Sequence, residues 1–481
     1  MIQKYITCAS GYLPILRFDR AVARAELKWA GLGGAGRGLR ATAGWDEDAL
    51  TLAVEAARSL APDGPDTAQI TFVSTSAPFL DRSQAGVLAE ALALPNTALM
   101  HDASGCRRAA TSALIRALRG CASGAELIAA GEMRAAQPGS AQLLNWGDGG
   151  GAVRVGDGSG VARLLGAASV AHDLLDTVTS AESGLPYAAE DRFVRDIAVA
   201  DVLLPALRAA CTESGVAPGD IALAVVPEPV SGTFRALAGS AGLGAPNLCE
   251  EIAAQAGDLG AAMPLFGLAL ALERAQPGDR ILVVGFGNGA DALVLEVTSA
   301  LPTRSAHNAL AEGAVLRGWT RFLSLTGGIA LNWGPRAEVN QKVSASVLAR
   351  HGRDMHGFIG GRDPRGNVQF PKTPIPVSPA ATGPEPYEDV RLADAPARLA
   401  SITADRLNFT PDPPFVFGLV QFDNGARVAM ELCDTEGMVP EVGNPMRMRF
   451  RIKAIDRQRK FRSYFWKAAP LARPALTQEA K

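Results

Sequence analysis

Cysteine is sparse and scattered: Cys8, Cys106, Cys121, Cys211, Cys249 and Cys433 are the six, with no CxxC pair among them. That distribution offers no thiolate zinc ribbon and fits a reducing compartment rather than a disulfide framework. Neither sign of charge is in excess, with 47 Lys and Arg against 49 Asp and Glu, so there is no electrostatic case for nucleic acid or an anionic membrane. Apolar runs stop short of the roughly 18 residues that suggest a membrane span. The first residues, MIQKYITCASGYLPILRF, have no basic segment ahead of a long apolar one. No signal peptide is expected, and a soluble cytoplasmic protein is. Aromatic residues make up only 6%, too few to mark an aromatic-lined pocket.

What is present is a globular composition, 48% hydrophobic and 20% charged. At 481 residues the chain exceeds one ordinary core, which predicts two or three domains. A weak internal repeat runs through the first 300 residues. Its first copy has a helix (DEDALTLAVEAARSL, 46–60), a strand (AQITFVSTS, 68–76), a helix after Cys106, and strands AELIAAGE (125–132) and GGAVRVG (150–156). The second has a helix at 199–215, a strand at 220–229 (DIALAVVPEP), a helix at 257–275, and strands RILVVGF (280–286) and DALVLEV (291–297). Continuous apolar strands alternating with helices argue for an α/β fold with sheets covered on both faces. The duplication predicts two related layers packed about a pseudo-two-fold axis.

Beyond residue 300 the texture changes. Residues 301–354 read as a helical linker and 355–388 as an extended segment rich in Gly and Pro. From 389 to 481 short strand patterns dominate (ARLASITADRLNF, PPFVFGLVQFD, ARVAMELCD, MRMRFRIKAID), separated by turn signals such as DNG. A small OB-like β-barrel fits this size.

The stretch HDASGCRRAATSAL (101–114) places Cys106 after Ser104-Gly105 and before a helix-competent run. A free cysteine is commonly a small buried hydrophobe. At a helix N-terminus, unpaired N–H groups and the helix dipole would instead favour a nucleophilic thiolate. Arg107 and Arg108 either add positive charge to that turn or are simply solvated. The glycine-rich turn GFGNG (285–289), with Gly287 and Gly289, offers backbone N–H groups for an oxyanion hole.

These segments together resemble the thiolase superfamily, in its 3-hydroxy-3-methylglutaryl-CoA synthase and β-ketoacyl synthase III branch. WDEDALTLAVEAA resembles the family's first-helix segment, FVSTSAPFLDRSQAG the strand and loop before the nucleophile, and ASGCRRAATSAL the nucleophile turn. NWGDGGGAV (145–153) is similar to the family's GDGAAA motif and GFGNGADAL (285–293) to its glycine-rich C-terminal turn. The resemblance implies a five-layered duplicated α/β domain over 1–300, Cys106 as the acylated residue and a coenzyme A thioester as substrate. It implies a homodimer as well, with room for a separate thiolase subunit. It also implies a catalytic histidine where VVPEPVSGTFRALA offers Glu228, an asparagine where AAQAGDLGAAMPL offers Gln255, and a glutamate where STSAPFLDRS shows Ser76. Residues 301–481 resemble an acyl-CoA-associated OB-fold family, and GGRDPRGNVQFPKTPIP its rubredoxin-like zinc ribbon. That ribbon's cysteines would fall near Asp363, Gly366 and Pro374–Pro376, and none is present. No metal is therefore expected. His351 and His356 have no companion ligands and are expected at the surface.

The substitutions bear on the chemistry. Claisen condensation needs donors facing an enolate or thioester oxyanion. An ionised Glu228 can only accept and would repel that charge, whereas burial could keep it protonated. As a base it would favour acyl transfer to water or proton abstraction. Three readings stand: acyl transfer or carbon–carbon bond chemistry on a CoA thioester through Cys106; a catalytically degenerate subunit that scaffolds an active thiolase; and an acyl-CoA hydrolase using Glu228 as base. A weaker fourth is a pure acyl-CoA-binding or sensing module.

Overall fold

The computed structural model describes residues 3–32, 34, 37–60, 66–120, 124–335 and 337–476, so Cys121 lies outside the described residues. The chain divides into two compact units. The first comprises residues 1–43, 48–88 and 94–329, and the second 44–47, 89–93 and 330–481.

In the first unit, one half contains β1 (Lys4–Tyr12), α1 (Ala49–Arg58), β2 (Thr67–Val73), β3 (Leu99–Ala103), α2 (Ala109–Leu118), β4 (Ala125–Glu132) and β5 (Gly149–Asp157). The other contains β6 (Ala162–Ala171), α3 (Leu204–Ser214), β7 (Leu223–Val225), α4 (Thr233–Ala241), α5 (Leu248–Gln255), α6 (Met263–Arg274), β8 (Arg280–Phe286) and β9 (Gly289–Val297). The strands form one sheet in the order β7-β8-β9-β6-β1-β5-β4-β2-β3. β1 and β6 share only the register pairs Tyr5↔Arg163 and Ile6↔Ala162, so the sheet is two half-sheets joined at a narrow seam.

The halves repeat one pairing scheme. β2 and β4 run parallel, and β4–β5 and β5–β1 antiparallel. In the same way β7 and β8 run parallel, and β8–β9 and β9–β6 antiparallel. The counterpart of β3 shrinks to a single parallel bridge, Ala224↔Asn247. α1 packs on β4 and β5, α3 on β6 and β9, while α2 and α6 contact strands of both half-sheets. The result is five layers, helix–sheet–helix–sheet–helix. α6 buries its first ten residues, MPLFGLALAL, as a helix caught between two sheets must.

The first unit extends to Ile329 rather than stopping at 300. The helix Ser305–Ala311 packs on α6 and β1, and the strand Ala314–Leu316 pairs in parallel with Leu16–Asp19. Phe322, fully buried, stacks on Phe18 with ring centroids 3.8 Å apart. Half of the expected 301–354 linker is therefore core of the first unit.

The second unit carries β10 (Ala397–Asp405), β11 (Phe415–Phe422), β12 (Arg427–Glu431), β13 (Pro445–Asp456) and β14 (Phe461–Pro470), in the order β12-β11-β10-β13-β14. A parallel bridge, Leu432↔Ala468, joins the two ends of this sheet, which is compatible with a small closed barrel. The segment 355–388, expected to be extended and to resemble a zinc ribbon without its cysteines, contains Ile359–Arg362 and Val368–Gln369, which form a small sheet with Glu388–Arg391. Its turn is held by Asp363, whose carboxylate accepts from the backbone N–H of Arg365 (2.9 Å) and Asn367 (2.8 Å) and from Asn367 Nδ2 (2.8 Å). Hydrogen bonds thus hold this turn.

Two expectations are corrected here. His356 is buried, not at the surface: its Nδ1 lies 2.6 Å from Glu90 Oε2, and its carbonyl accepts from Trp466 Nε1 at 2.6 Å. The helix Ala345–Gly357 packs on β14 and buries its last two residues, His356 and Gly357, while His351 stays exposed. The helix expected from Asp46 begins at Ala49, with Asp48 as N-cap and Thr51 closing a capping box. Trp45, Asp46 and Glu47 belong instead to the second unit. There Asp46 meets Lys467 Nζ at 2.9 Å and Glu47 meets Arg451 Nη2 at 3.0 Å.

Candidate active site

Cys106 follows β3 through Ser104 and Gly105, a glycine at φ +95°. α2 begins three residues later, and the Cys106 carbonyl accepts from Ala109 N at 3.2 Å. The thiol is half-buried and packs against the core of the first unit. The N–H of Cys106 has no hydrogen-bond partner among the described residues. Behind the turn, buried Asp291 holds α2 in place. It accepts from Thr111 Oγ1 (3.0 Å), Ser112 Oγ (2.5 Å) and Ser169 Oγ (2.7 Å), and pairs with Arg108 (3.4 Å).

The GFGNG turn joins β8 to β9 directly against the cysteine turn. A Cβ built on Gly287 would lie 2.9 Å from Arg107 N and 3.3 Å from Arg108 N, so only glycine permits this approach. The Gly287 N–H, expected as an oxyanion donor, is already given to the Gly289 carbonyl at 3.0 Å. Gly289 enters the ladder opposite Ala171. Asn288, between them at φ +49°, has an N–H with no partner among the described residues. Its side chain donates to Asp173 at 3.0 Å, which holds the left-handed backbone. Gly287→Ala should cost about 1–3 kcal/mol through backbone overpacking. Its clearest signature is a changed rate of Cys106 alkylation by a thiol reagent in a protein whose circular dichroism is native; an unchanged rate would dissociate this glycine from the cysteine turn.

Beside the turn is a shallow, narrow cleft lined by Arg107, Pro227, Glu228, Pro229, Asp258, Gly260, Pro264 and Phe286. Arg107 and Arg108 are not simply solvated, since each side chain is only 18% exposed. Arg107 Nη2 bonds Asp176, and the guanidinium lies 5.9 Å from the Phe286 ring centroid. Burial opposes its charge, but Asp176, Asp258 and Glu132 outweigh that and hold its pKa above the ordinary arginine value.

Of the residues expected at the site, Glu228 lines the cleft. Burial pushes its carboxyl above the usual range; the N–H groups of Phe234 and Gly232 offset part of this, and Glu250 adds to the rise. Oε1 accepts from Phe234 N at 2.8 Å, in the first turn of α4. Gln255 does not line the cleft: it ends α5 and reaches Glu251 at 3.5 Å. Asp258 stands in the wall instead. Burial would raise Asp258, but Arg134, 2.9 Å away, and Arg107 outweigh burial and hold it ionised. Ser76 is wholly engaged: its hydroxyl bonds Glu132 and accepts from Met133 N at 2.8 Å.

Sequence reasoning missed Glu132, Asp176, Asp258 and Asn288. Glu132 closes β4 fully buried and also accepts from Thr75 N (3.2 Å) and Ala261 N (3.0 Å). It thereby fixes the Ser74–Ser76 loop to the turn that carries Gly260 in the cleft wall. A signal existed for Asp258 alone, in the AGDLGAA turn that opens α6.

No family model matches the chain. Among curated proteins it is 30% identical over 276 residues to the hydroxymethylglutaryl-CoA synthase of Pyrococcus horikoshii, covering 54% of this chain and 78% of that one. The protein of the same name from Pyrobaculum neutrophilum is 31% identical over 273 residues, covering 54% and 77%. That of Aeropyrum pernix is 29% identical over 278 residues, covering 54% and 75%. Among solved structures, PksG, an HMG-CoA synthase from Bacillus subtilis, matches with a TM-score of 0.54 at 15% identity, over 69% of this chain and 92% of that one. The 3-oxoacyl-(acyl carrier protein) synthase III FabH from Pseudomonas aeruginosa matches at 0.52 and 19% identity, over 63% and 100%. A single-residue variant of OleA from Xanthomonas campestris matches at 0.52 and 17%, over 62% and 97%. The fold is thus thiolase-like, and the chain belongs to the hydroxymethylglutaryl-CoA synthase family.

Proposed function

We propose that the protein is an acyl-CoA acyltransferase that loads Cys106 from a coenzyme A thioester, with Glu228 as its acid–base group. The observation that carries this reading is the seating of the cysteine turn against Gly287. It leaves the N–H groups of Cys106 and Asn288 without partners among the described residues, and Arg107, next in sequence to Cys106, lines a cleft together with Glu228. Backbone donors of this kind hold the oxyanion of a tetrahedral intermediate. The relatives' names, which specify CoA synthases, favour a CoA thioester as donor.

The acceptor is one that arrives with a proton to lose, such as water or a hydroxyl. The family resemblance implies that condensation uses a glutamate where Ser76 stands. Ser76, committed to Glu132 and Met133, has no free proton acceptor with which to generate a carbanion. Acyl-CoA is the small-molecule partner in this reading. Among the described residues, no group of three or more His, Cys, Asp or Glu could hold a metal, and no helix is long and apolar enough to cross a membrane.

The test is CoA release from acyl-CoA, with and without hydroxyl acceptors, as a function of pH. Because the Glu228 carboxyl titrates above the ordinary 4.5, its basic form fills only at higher pH. The rate should therefore rise through a midpoint above the usual carboxylate range. Glu228→Gln should remove that limb and slow turnover by about 10²–10⁴-fold. Carbon–carbon bond formation by the purified protein, or an unchanged profile in the Gln variant, would overturn this assignment. Absence of turnover with every thioester would favour the scaffolding alternative.

A further inference from the structure

We infer that Arg107 is a catalytic residue, the side-chain donor to the oxyanion formed when Cys106 is acylated. The inference rests on the proposed acyl transfer and adds a group that the family resemblance does not supply.

The cleft wall leads to it. Pro227, Pro229, Pro264, Gly260 and Phe286 bring no side-chain donor, and ionised Asp258 only accepts. Asp258 is paired with Arg134 and offers no donor, and Glu228 is occupied with the thiol proton, so a side-chain donor to the oxyanion has to come from a cation in the lining. Among the described residues lining the cleft, Arg107 is the one cation.

Its placement is pre-organised. The backbone is set by its neighbour Cys106 and by the approach of Gly287. The side chain is fixed at one nitrogen by Asp176 and lies over Phe286. Nε and Nη1 have no hydrogen-bond partner among the described residues, and the group keeps part of its surface open in the cleft. A planar fork held at one arm, with its other N–H groups unspent, loses little entropy when an oxygen reaches it.

A guanidinium donates but does not give up its proton, so it cannot also carry one. The two tasks of a single histidine are here divided. The Cys106 thiol proton passes to the Glu228 carboxylate, and the sulfur electron pair forms the new C–S bond. The carbonyl π pair moves onto oxygen, where the backbone N–H groups and Arg107 hold it. Collapse breaks the bond to CoA sulfur, and Glu228 returns its proton to the leaving thiolate. Nothing is oxidised or reduced.

The experiment measures the rate of acyl-Cys106 formation by quenched mass spectrometry of the full chain, using acetyl-CoA and lauroyl-CoA as probes. Wild type is compared with Arg107→Met, Arg107→Lys and Asp176→Asn. Loss of one oxyanion donor lowers kcat by about 10²–10³-fold. Arg107→Met should show that loss in kcat with KM little changed. Arg107→Lys, which keeps the charge without the fork, should fall between Met and wild type. Asp176→Asn breaks the anchor but leaves the guanidinium, and should lose less than about tenfold, the share of a positioning rather than a donating group. If Arg107→Met does not fold, the Lys variant carries the comparison through the same kcat–KM split. Met and Lys variants with rates indistinguishable from wild type would overturn the inference. So would an Asp176→Asn variant as slow as Arg107→Met, because Arg107 would then only tie down the loop of Asp176. A wild-type chain that takes no acyl group from either probe overturns the underlying acyl transfer as well, which separates the two failures.

Discussion

Arg451→Met is expected to destabilise the second unit by about 3–5 kcal/mol, the cost of removing one partner from a buried ion cluster. Arg451 is fully buried, and its Nη2 lies 3.0 Å from Glu47 Oε1 and 3.1 Å from Asp434 Oδ1. Asp434 also meets Arg449 (3.4 Å) and Arg473 (3.3 Å). A second arm runs from Asp46 through Lys467 to Glu431, each contact 2.9 Å, with the ammonium 4.2 Å from the Trp45 ring centroid. Methionine fills the volume but removes the positive charge that Arg451 brings to Glu47 and Asp434. Hydrogen exchange read by mass spectrometry should speed up in Pro445–Asp456 and Phe461–Pro470 and stay unchanged in Ala125–Glu132. Exchange unaltered in the barrel strands would mean that the cluster is not holding the unit.

The same cluster sets a pH dependence. Burial would raise Asp434, but Arg451, Arg473 and Arg449 outweigh it and push its carboxyl far below the ordinary 3.8. A depressed folded-state pKa gives stability that is present above the unfolded value and lost as pH falls toward the folded one. Glu431, held low by Lys467 and Lys453 against burial, acts in the same sense. Glu47, raised by burial, acts in the opposite sense across the range above 4.5. Below the usual carboxylate range the second unit should lose stability, and Arg451→Met should flatten that acid limb.

The second large effect is expected at Glu132. Its side chain has no exposed surface and accepts from Ser76 Oγ, Ser74 Oγ, Thr75 N and Ala261 N. Hydrogen bonds to a charged group contribute about 1.5–3 kcal/mol each, and stranded buried donors cost about 1–3 kcal/mol more. Glu132→Ala is therefore expected to destabilise the first unit by at least about 3 kcal/mol. It should also loosen the cleft, because the Ala261 N–H sits beside Gly260 in the wall. Glu132→Gln keeps one acceptor oxygen and should lie between Ala and wild type in both thermal unfolding and Cys106 acylation. A native melting temperature in the Ala variant would refute the role of this carboxylate as the joint of the site.

Much of the first unit was legible because its strands are continuous apolar runs between turn signals. Ala125–Glu132 and Arg280–Phe286 have the bounds expected from AELIAAGE and RILVVGF. The strand expected over 220–229 shortens to Leu223–Val225, since Pro227 and Pro229 cannot donate to a ladder. Lys4–Tyr12 and Ala162–Ala171, rich in small residues, gave no clear alternation, yet they form the seam of the two halves. The start of α1 was misread for a physical reason: Asp46 and Glu47 look like first-turn acids, but their partners lie some 400 residues further on, in Arg451 and Lys467.

The candidate site was legible where chemistry is local. Gly105-Cys106 ahead of a helix and the GFGNG turn are short-range patterns, and Gly287 does lie against the cysteine turn. What pairs across the fold was not legible. Arg107 is oriented by Asp176, 69 residues away, and Ser76 is silenced by Glu132, 56 residues away. Gln255 and Asp258 differ by less than one helical turn, yet α5 ends between them and only Asp258 turns into the cleft. Spacing alone could not choose between them.

The central claim, that Cys106 carries an acyl group, is tested most directly by the intact mass of the full chain after incubation with a series of CoA thioesters. The account predicts a single added acyl group that maps to the Cys106 peptide, is released by hydroxylamine, and is absent in Cys106→Ala. An unmodified wild-type mass with every thioester, or an adduct that persists in Cys106→Ala, would contradict it.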